Sequence, residues 1–161
     1  MPSFNISIKA DLPEVRNALE QASKEILNRF DFKGTSAALK FTDAEIICTA
    51  DNNFQLSQVK DVFFGKCAKR KVDTRLFQQS EITKISGDKV KQNLKIVDGI
   101  EVEIAKNIVK YIKSKKIKVQ SSIQGNQVKV SGPKRDSLQA IISNLKEDFK
   151  NYPLVFDNFR D

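Results

Sequence analysis

The chain has 161 residues, with 28 Lys or Arg against 20 Asp or Glu, so it carries a net charge of +8, and it contains no histidine. Forty per cent of the residues are apolar, which is enough to build one domain or two small ones. Histidine is the commonest general base and a frequent zinc ligand, so its absence excludes most hydrolase mechanisms and most zinc sites. The two cysteines, Cys48 and Cys67, lie apart in apolar stretches, and we expect buried thiols that form neither a disulfide nor a redox pair.

The pattern of the first half predicts, in order, a strand, a helix, a hairpin, a second helix, a short strand and a second hairpin. Residues 4–8 alternate between apolar and polar side chains, the pattern of a half-buried strand. Asp11 then begins a capping pattern, followed by a helix whose apolar face extends to Phe30. Further along we predict a hairpin turning at 43–44, a helix from Asn53, a short strand at 72–77 and a hairpin at 82–96 turning at 87–88.

The second half repeats this order. It predicts a helix at about 100–114, a hairpin turning at 125–126, a helix from about Pro133 and a closing strand at 154–159. Two copies of a βαββαβ unit explain this repeat. The predicted fold class is therefore α+β, with two ferredoxin-like domains in which two helices cover one face of an antiparallel sheet and leave the other face free.

Basic residues are concentrated in the second half, where residues 81–161 carry +6 against +2 for residues 1–80. The 32 residues between Glu103 and Asp136 include nine Lys or Arg and no carboxylate, so they should attract phosphate groups. For part of this segment there is another explanation: the solvent-exposed side of a helix ordinarily carries lysines such as Lys106, Lys110 and Lys113. The predicted strands are more informative, because their polar side chains alternate away from the apolar ones.

Six residues of this basic segment are candidate contacts for an anionic ligand. Two lysines and two glutamines of this set lie on the predicted free sheet face, where the lysines would bind phosphate and the glutamines would form hydrogen bonds with polar groups of the ligand. The predicted helix start also places two cations where the helix dipole favours an anion. Asp136 could supply that negative charge, and the open alternatives are a bound anion and ordinary capping. The candidates are Lys118, Gln120, Gln124, Lys129, Lys134 and Arg135.

Other motifs give weaker indications. The segment from Arg29 to Lys33 combines cations with aromatics, as a ligand site could, or it is a helix end held in the core by Phe30 and Phe32. No glycine-rich dinucleotide or P-loop motif is present. No nucleophile and base pair or metal set can be assembled either, so we expect neither catalysis, nor a metal, nor a cofactor.

Five separated motifs occur in order from the first residue to the last: Met-Pro-Ser-Phe4, Arg29-Phe-Asp-Phe-Lys33, Lys118-Val-Gln with Ile123-Gln-Gly125, Lys134-Arg-Asp136 and Asn158-Phe-Arg-Asp161. Together they resemble the YajQ family of bacterial nucleotide-binding proteins. The resemblance implies two ferredoxin-like domains whose N-terminal strands are exchanged, and a monomeric cytosolic protein. With it we expect one unit at 10–90 and a second at 91–161 joined by the strand 1–9. Asn5 stands where family members commonly have aspartate.

The resemblance also implies nucleotide or RNA binding, with cyclic di-GMP recognised by some members. We therefore expect a non-catalytic nucleotide-binding protein, plausibly a cyclic di-GMP sensor, with GTP or ATP as other candidate ligands. The alternatives are an RNA-binding module for tRNA or rRNA and a ligand-regulated module that binds a regulatory protein. The N-terminus has no signal-peptide pattern and no apolar stretch spans a membrane, so we expect a cytoplasmic protein with no membrane partner.

Overall fold

The computed structural model describes all residues from 1 to 161 and divides them into two compact units. We call residues 1–9 with 97–161 the split unit and residues 10–96 the continuous unit. The elements in chain order are β1 (Ser3–Ser7), α1 (Leu12–Asn28), β2 (Ala38–Thr42), β3 (Glu45–Ala50), α2 (Asn53–Lys69), β4 (Phe77–Gln79), β5 (Thr83–Lys84), β6 (Val90–Ile96), α3 (Val102–Ser114), β7 (Gln120–Gln124), β8 (Gln127–Ser131), α4 (Arg135–Asp148) and β9 (Val155–Arg160).

The split unit is an antiparallel sheet of four strands in the order β7-β8-β1-β9, with the helices α3 and α4. Alternate residues of each strand point to the same face. Phe4 and Ile6 of β1 and Val128 and Val130 of β8 are therefore buried together, all fully inaccessible to solvent. Apolar residues of the two helices complete this core, among them Ile108, Ile112, Ile141 and Leu145. The sheet face opposite this core bears the polar residues of the same strands.

The continuous unit has the same plan. Its sheet has the order β2-β3-β6-β4, with the short β5 also paired to β6, and it carries the helices α1 and α2. Its core includes Ile46, Leu94, Val15 and Phe63. The mixed α+β class with two ferredoxin-like sheets, predicted from the sequence, is confirmed.

Two long-range pairings set the limits of the units. The N-terminal strand β1 pairs with β8 and β9 of the split unit. The strand β6 pairs with β3, β4 and β5 of the continuous unit, so residues 91–96 lie in the same sheet as residues 38–50. The continuous unit thus extends to Ile96, six residues beyond the boundary at 90 expected from the sequence.

An ion pair ties the two helices of the continuous unit together. Arg70, at the end of α2, donates to both carboxylate oxygens of Glu14 in the first turn of α1, at 2.9 and 3.2 Å. These hydrogen bonds lower the pKa of Glu14 from its ordinary value. Lys66 forms a second link to Glu25 at 2.9 Å.

The segment from Arg29 to Lys33 differs from the sequence prediction. Helix α1 ends at Asn28, and a 3-10 turn follows at Phe30–Phe32. This turn directs Phe32 into the core and leaves Phe30 90% exposed, so the alternative in which both rings hold the helix end in the core is wrong for Phe30. Arg29 lies over the Phe32 ring, 4.6 Å from its centroid, and pairs with Asp31.

The strand predicted at 72–77 also begins later. The Asp73 side chain accepts a hydrogen bond from the Arg75 amide and caps a 3-10 turn at Thr74–Leu76. Asp side chains commonly stabilise turns in this way at the expense of extended structure. The strand therefore starts only at Phe77.

A bulge near the end of β9 determines which face of the sheet its last side chains point to. The pairing of β9 with β1 shifts between Ser3 and Asn5, where Asn158 has a left-handed backbone with φ of 55°. An extra residue at this point lets Phe156 and Phe159 face the same side, although they are three positions apart. Both rings lie against Phe4, at centroid distances of 6.1 and 5.8 Å.

The loop before α3 is anchored on the β7-β8 hairpin. The Ile100 amide donates to the Asn126 carbonyl at 2.9 Å, and the Gly99 amide donates to the Ile8 carbonyl at 2.7 Å. Gly99 has a φ of 89°, and a Cβ on it would lie 2.4 Å from Nδ2 of Asn126. Only glycine satisfies both the backbone angle and this close approach. None of the four helices has the length and hydropathy needed to cross a membrane.

Gly99→Ala tests this anchor. We expect the variant to lose about 1–3 kcal/mol of unfolding free energy, because it combines backbone strain with a steric overlap. Urea unfolding measures the loss. In an Asn126→Ala background the overlap with Nδ2 is gone, so the same substitution should cost less by about 1 kcal/mol. An equal cost in the two backgrounds would show that the contact is not responsible.

Tyr111→Phe tests a link between α3 and α4. The Tyr111 hydroxyl donates to Asp148 and lies 3.1 Å from the Asn144 carbonyl. Partial burial and the bond to Asp148 raise the pKa of Tyr111 from 10.0 to about 12. The folded protein therefore keeps this proton more tightly than the unfolded chain, and the stability gained below pH 10 is lost as the pH rises towards 12.

We expect Tyr111→Phe to be less stable than the parent chain by about 1 kcal/mol near pH 8. The gap should narrow between pH 10 and pH 12, because only the parent chain has this phenol to titrate. Denaturant unfolding of both chains at several pH values gives the measurement. A gap that stays constant across this range would contradict the assigned role of Tyr111.

Candidate functional site

The strand register brings three of the predicted residues to one sheet face. Gln120 lies opposite Ser131, Ser122 opposite Lys129, and Gln124 opposite Gln127. These residues alternate with Val128 and Val130, which are buried in the core. Gln120, Gln124 and Lys129 thus lie on the free face of the split unit, as the alternation predicts. We call the side of β7, β8 and β1 that carries them the outer face.

On the outer face, β1 lies between β8 and the outer strand β9. Asn5 lies opposite Lys129, and on its other side it lies opposite Asp157 of β9. The sequence predicted no carboxylate on the outer face of β7 and β8, and this is so, but β9 contributes Asp157 beside it. Lys9 pairs with that carboxylate at 2.5 Å and offsets its charge.

A recess lies at one end of the outer face, where β8 ends. It has a volume of about 270 Å³ and is mainly apolar. Gly132 forms part of its wall, because a Cβ there would lie 3.0 Å from both the Lys118 carbonyl oxygen and Cγ1 of Val119. The absence of a side chain lets the end of β8 approach the segment that leads into β7. The residues that line this recess are Met1, Lys118, Val119, Gln120, Ser131, Gly132 and Pro133.

Arg135 lies in another recess of about 280 Å³ beside the start of α4, which Arg160 also lines. Its guanidinium forms an ion pair with Asp161. The side chains of both partners are mostly exposed, so this pair is weak and open to competition from other anions.

Lys134 is the capping residue of α4 and is exposed, and no side chain caps the helix. Ordinary capping by a side chain is therefore not observed at this helix start. Asp136 lies in the first turn, where its charge favours the helix dipole.

The six predicted residues thus fall into three places. Lys118 and Gln120 share the apolar recess, and Lys129 lies on the outer face two residues before Ser131, another residue of that recess. Gln124 is at the hairpin end of the same face. Lys134 and Arg135 lie at the start of α4, where Arg135 lines the separate recess.

Some residues of the site were not identified from the sequence. Arg160 faces the same side as Ser3 only because the bulge at Asn158 shifts the register. Lys9 was not identified because its partner Asp157 is 148 residues away. Val119 and Gly132 carry no charge, and only the close approach of two backbone segments reveals their role as walls.

The continuous unit has a larger recess, of about 390 Å³, along α1 and α2. Its walls carry the carboxylates Glu25 and Asp61 as well as three cations. Lys66 is already paired with Glu25, and Arg29 with Asp31. Because its charges are mixed and largely paired, this recess is a poorer site for an anionic ligand than the split unit.

The cysteines are not reactive groups. Cys48 and Cys67 are both buried, and desolvation raises the pKa of each thiol to about 12. Thiols that remain protonated are poor nucleophiles and poor metal ligands. No group of three or more Cys, Asp or Glu side chains is placed to hold a metal ion.

The chain matches a known protein family over nearly its whole length. The family model described as "Nucleotide-binding protein YajQ-like" matches residues 2–160, which include both units and the entire outer face. The resemblance seen in five short motifs therefore extends over essentially the whole chain. This chain is a member of the YajQ-like family of nucleotide-binding proteins.

Proposed function

We propose that the protein is a non-catalytic sensor of a cyclic dinucleotide, with cyclic di-GMP as the first candidate, and that the ligand binds on the outer face of the split unit. Family membership supports nucleotide binding. The observation that carries the choice of site is the cationic outer face, which leads directly into an apolar recess.

Electrostatics favour this face for phosphate groups. Between Glu103 and Asp136 the chain has nine cations and no carboxylate, and the split unit has 13 Lys or Arg against 8 Asp or Glu. Lys118 and Lys129 are exposed and neither forms an ion pair with a carboxylate. They are therefore available to phosphate groups, and this attraction weakens as salt is added.

The recess is suited to a base. Val119 and Pro133 give it apolar walls, while Gln120 supplies a side-chain amide that can donate and accept hydrogen bonds. Its volume of about 270 Å³ lies at the lower end of small-molecule sites, which suits one base better than a whole nucleotide. The rest of the ligand would lie on the outer face.

A cyclic dinucleotide would contact more of the candidate residues than a mononucleotide would. Its two phosphates lie on opposite sides of a ring and need separate partners. Lys118 and Lys129 would hold one phosphate, and Lys134 with Arg135 at the start of α4 would hold the other. Gln124, at the hairpin end of the face, would bond the edge of the second base. GTP and ATP, which carry their phosphates in one chain, would engage only the first pair of lysines.

The composition of the outer face argues against the usual mode of RNA binding. Single-stranded RNA modules stack bases on aromatic side chains of the sheet. The exposed and half-buried residues of β7, β8 and β1 on the outer face include no aromatic: they are Gln120, Ser122, Gln124, Gln127, Lys129, Ser131 and Asn5. Ser3 and Ser7, which point the same way, are buried. A nucleotide held by phosphate contacts and one recess fits this surface better than a stacked RNA strand.

Substitution of the two lysines tests the site. We expect Lys118→Gln and Lys129→Gln each to weaken binding of cyclic di-GMP by about tenfold, as loss of a charged hydrogen bond does. Lys106→Gln is the matched control, because it removes the same charge from an exposed position on α3. Calorimetric titration measures the affinities.

Two results would count against the proposal. If the parent chain at about 100 μM gives no heat with cyclic di-GMP, GTP or ATP, a dissociation constant useful to a sensor is excluded. If Lys106→Gln weakens binding as much as the other two substitutions, the attraction reflects net charge and not this site.

Asp161→Asn tests the role of Arg135. Removal of the carboxylate frees the Arg135 guanidinium for a phosphate, so affinity for cyclic di-GMP should rise by about two- to fivefold, the effect of an exposed ion pair. Glu147→Gln removes the same charge from the last turn of α4 and serves as the control. Equal affinities for the two variants would place Arg135 outside the site.

A further inference from the structure

The structure has five outer strands, β7 and β9 in one sheet and β2, β4 and the two-residue β5 in the other, and they differ in how well they are protected against pairing with another chain. A free strand edge is usually blunted by a charge, a bulge or a very short length. Strand β2 has Lys40 at its centre, β4 has only three residues, and β9 carries Asp157, Arg160 and a bulge. Strand β7, with the sequence Gln-Ser-Ser-Ile-Gln, has none of these features.

The backbone of β7 has unpaired groups that point away from the sheet. A two-residue turn at Gly125 and Asn126 closes the β7-β8 hairpin, so Gln124, Ser122 and Gln120 direct their N–H and C=O groups towards β8. Ser121 and Ile123 must then direct theirs outwards, and no backbone partner is present for either amide. The strand thus offers two donors and two acceptors in the spacing of a sheet ladder.

The surroundings of this edge are positively charged. Lys115, Lys116 and Lys118 precede β7, and Lys129 lies on β8 opposite Ser122. No carboxylate occurs in β7, in β8 or in the turn between them. An extended segment that paired with this edge would gain most if it carried Asp or Glu on the side of the outer face.

We propose that the free edge of β7 is a docking site for an extended, acidic polypeptide segment of a partner protein, which adds to the sheet as a fifth strand. Backbone hydrogen bonds to Ser121 and Ile123 would supply affinity, and the lysines beside the strand would select acidic side chains. The site uses the edge of the sheet and shares Lys118 and Lys129 with the proposed nucleotide site on its face, but the backbone pairing at the edge does not require nucleotide binding.

A second copy of this chain is a poorer occupant. Pairing of β7 with β7 would bring together two units that each carry a net charge of +5. Neither β7 strand has a carboxylate to offset this repulsion. Charge therefore favours a different, acidic chain.

The experiment uses the full chain and two fluorescent octapeptides, one alternating valine with glutamate and the other alternating valine with lysine. We expect the glutamate peptide to bind at least about tenfold more tightly at low salt, a ratio that falls as salt screens the lysines. Amide hydrogen exchange followed by NMR should show protection of Ser121 and Ile123 on binding. Fluorescence anisotropy gives the affinities.

Ser121→Pro removes one outward N–H while leaving the hydrogen bonds between β7 and β8 in place, and it should reduce binding by at least about tenfold. Ser121→Ala retains the N–H and should bind within about twofold of the parent chain. The exchange measurement on the parent chain tests the proposal even if the proline variant does not fold.

Equal binding of the two peptides, or binding without protection of Ser121 and Ile123, would overturn the proposal. Protection of these amides that depends on protein concentration alone would assign the edge to a second copy of the chain. Protection produced by single-stranded RNA but not by the glutamate peptide would assign it to a nucleic acid. Both of these results would also overturn the proposal.

Discussion

One face of the β7-β8-β1-β9 sheet is buried against helices α3 and α4, and the opposite face carries polar side chains. The rest of the split unit depends on this difference. Helices α3 and α4 contribute the apolar side chains that bury Phe4, Ile6, Val128 and Val130. Because strand side chains alternate, the residues between these four must face the other way. Burial of one face therefore fixes which polar side chains are displayed together on the outer face.

Two glycines allow backbone segments of the split unit to approach each other closely. Gly132 lets the end of β8 come close to the chain that enters β7, which creates the recess, and Gly99 lets the loop before α3 rest on the hairpin turn. Both roles are steric. Neither residue contributes charge, yet Gly132 allows the close approach of Lys118 and Val119 that forms the recess, and Gly99 allows the contact with Asn126.

Periodicity was sufficient to predict the repeat, the two hairpin turns and the face on which Gln120 and Lys129 lie. It failed where a local hydrogen bond or a register shift decided the outcome. The Asp73 cap delayed a strand, and the bulge at Asn158 brought Arg160 to the side of Ser3. The ion pair between Lys9 and Asp157 joins residues 148 positions apart, and no local pattern in the sequence indicates it.

The contrast between the units explains why charge alone is a poor guide to the site. The continuous unit carries 15 Lys or Arg, more than the split unit, but also 12 Asp or Glu. Several of its cations are paired, including Arg70 with Glu14 and Lys66 with Glu25. What distinguishes the outer face is that β7 and β8, which carry Lys129 and follow Lys118, contain no carboxylate.

The most direct test of this account is an NMR titration of the backbone amides with cyclic di-GMP. The account predicts that the largest shifts fall on Gln120, Lys129, Ser131 and Gly132, with saturation at the affinity found by calorimetry. Shifts confined to α1 and α2, around the recess lined by Gln58 and Gly65, would contradict it.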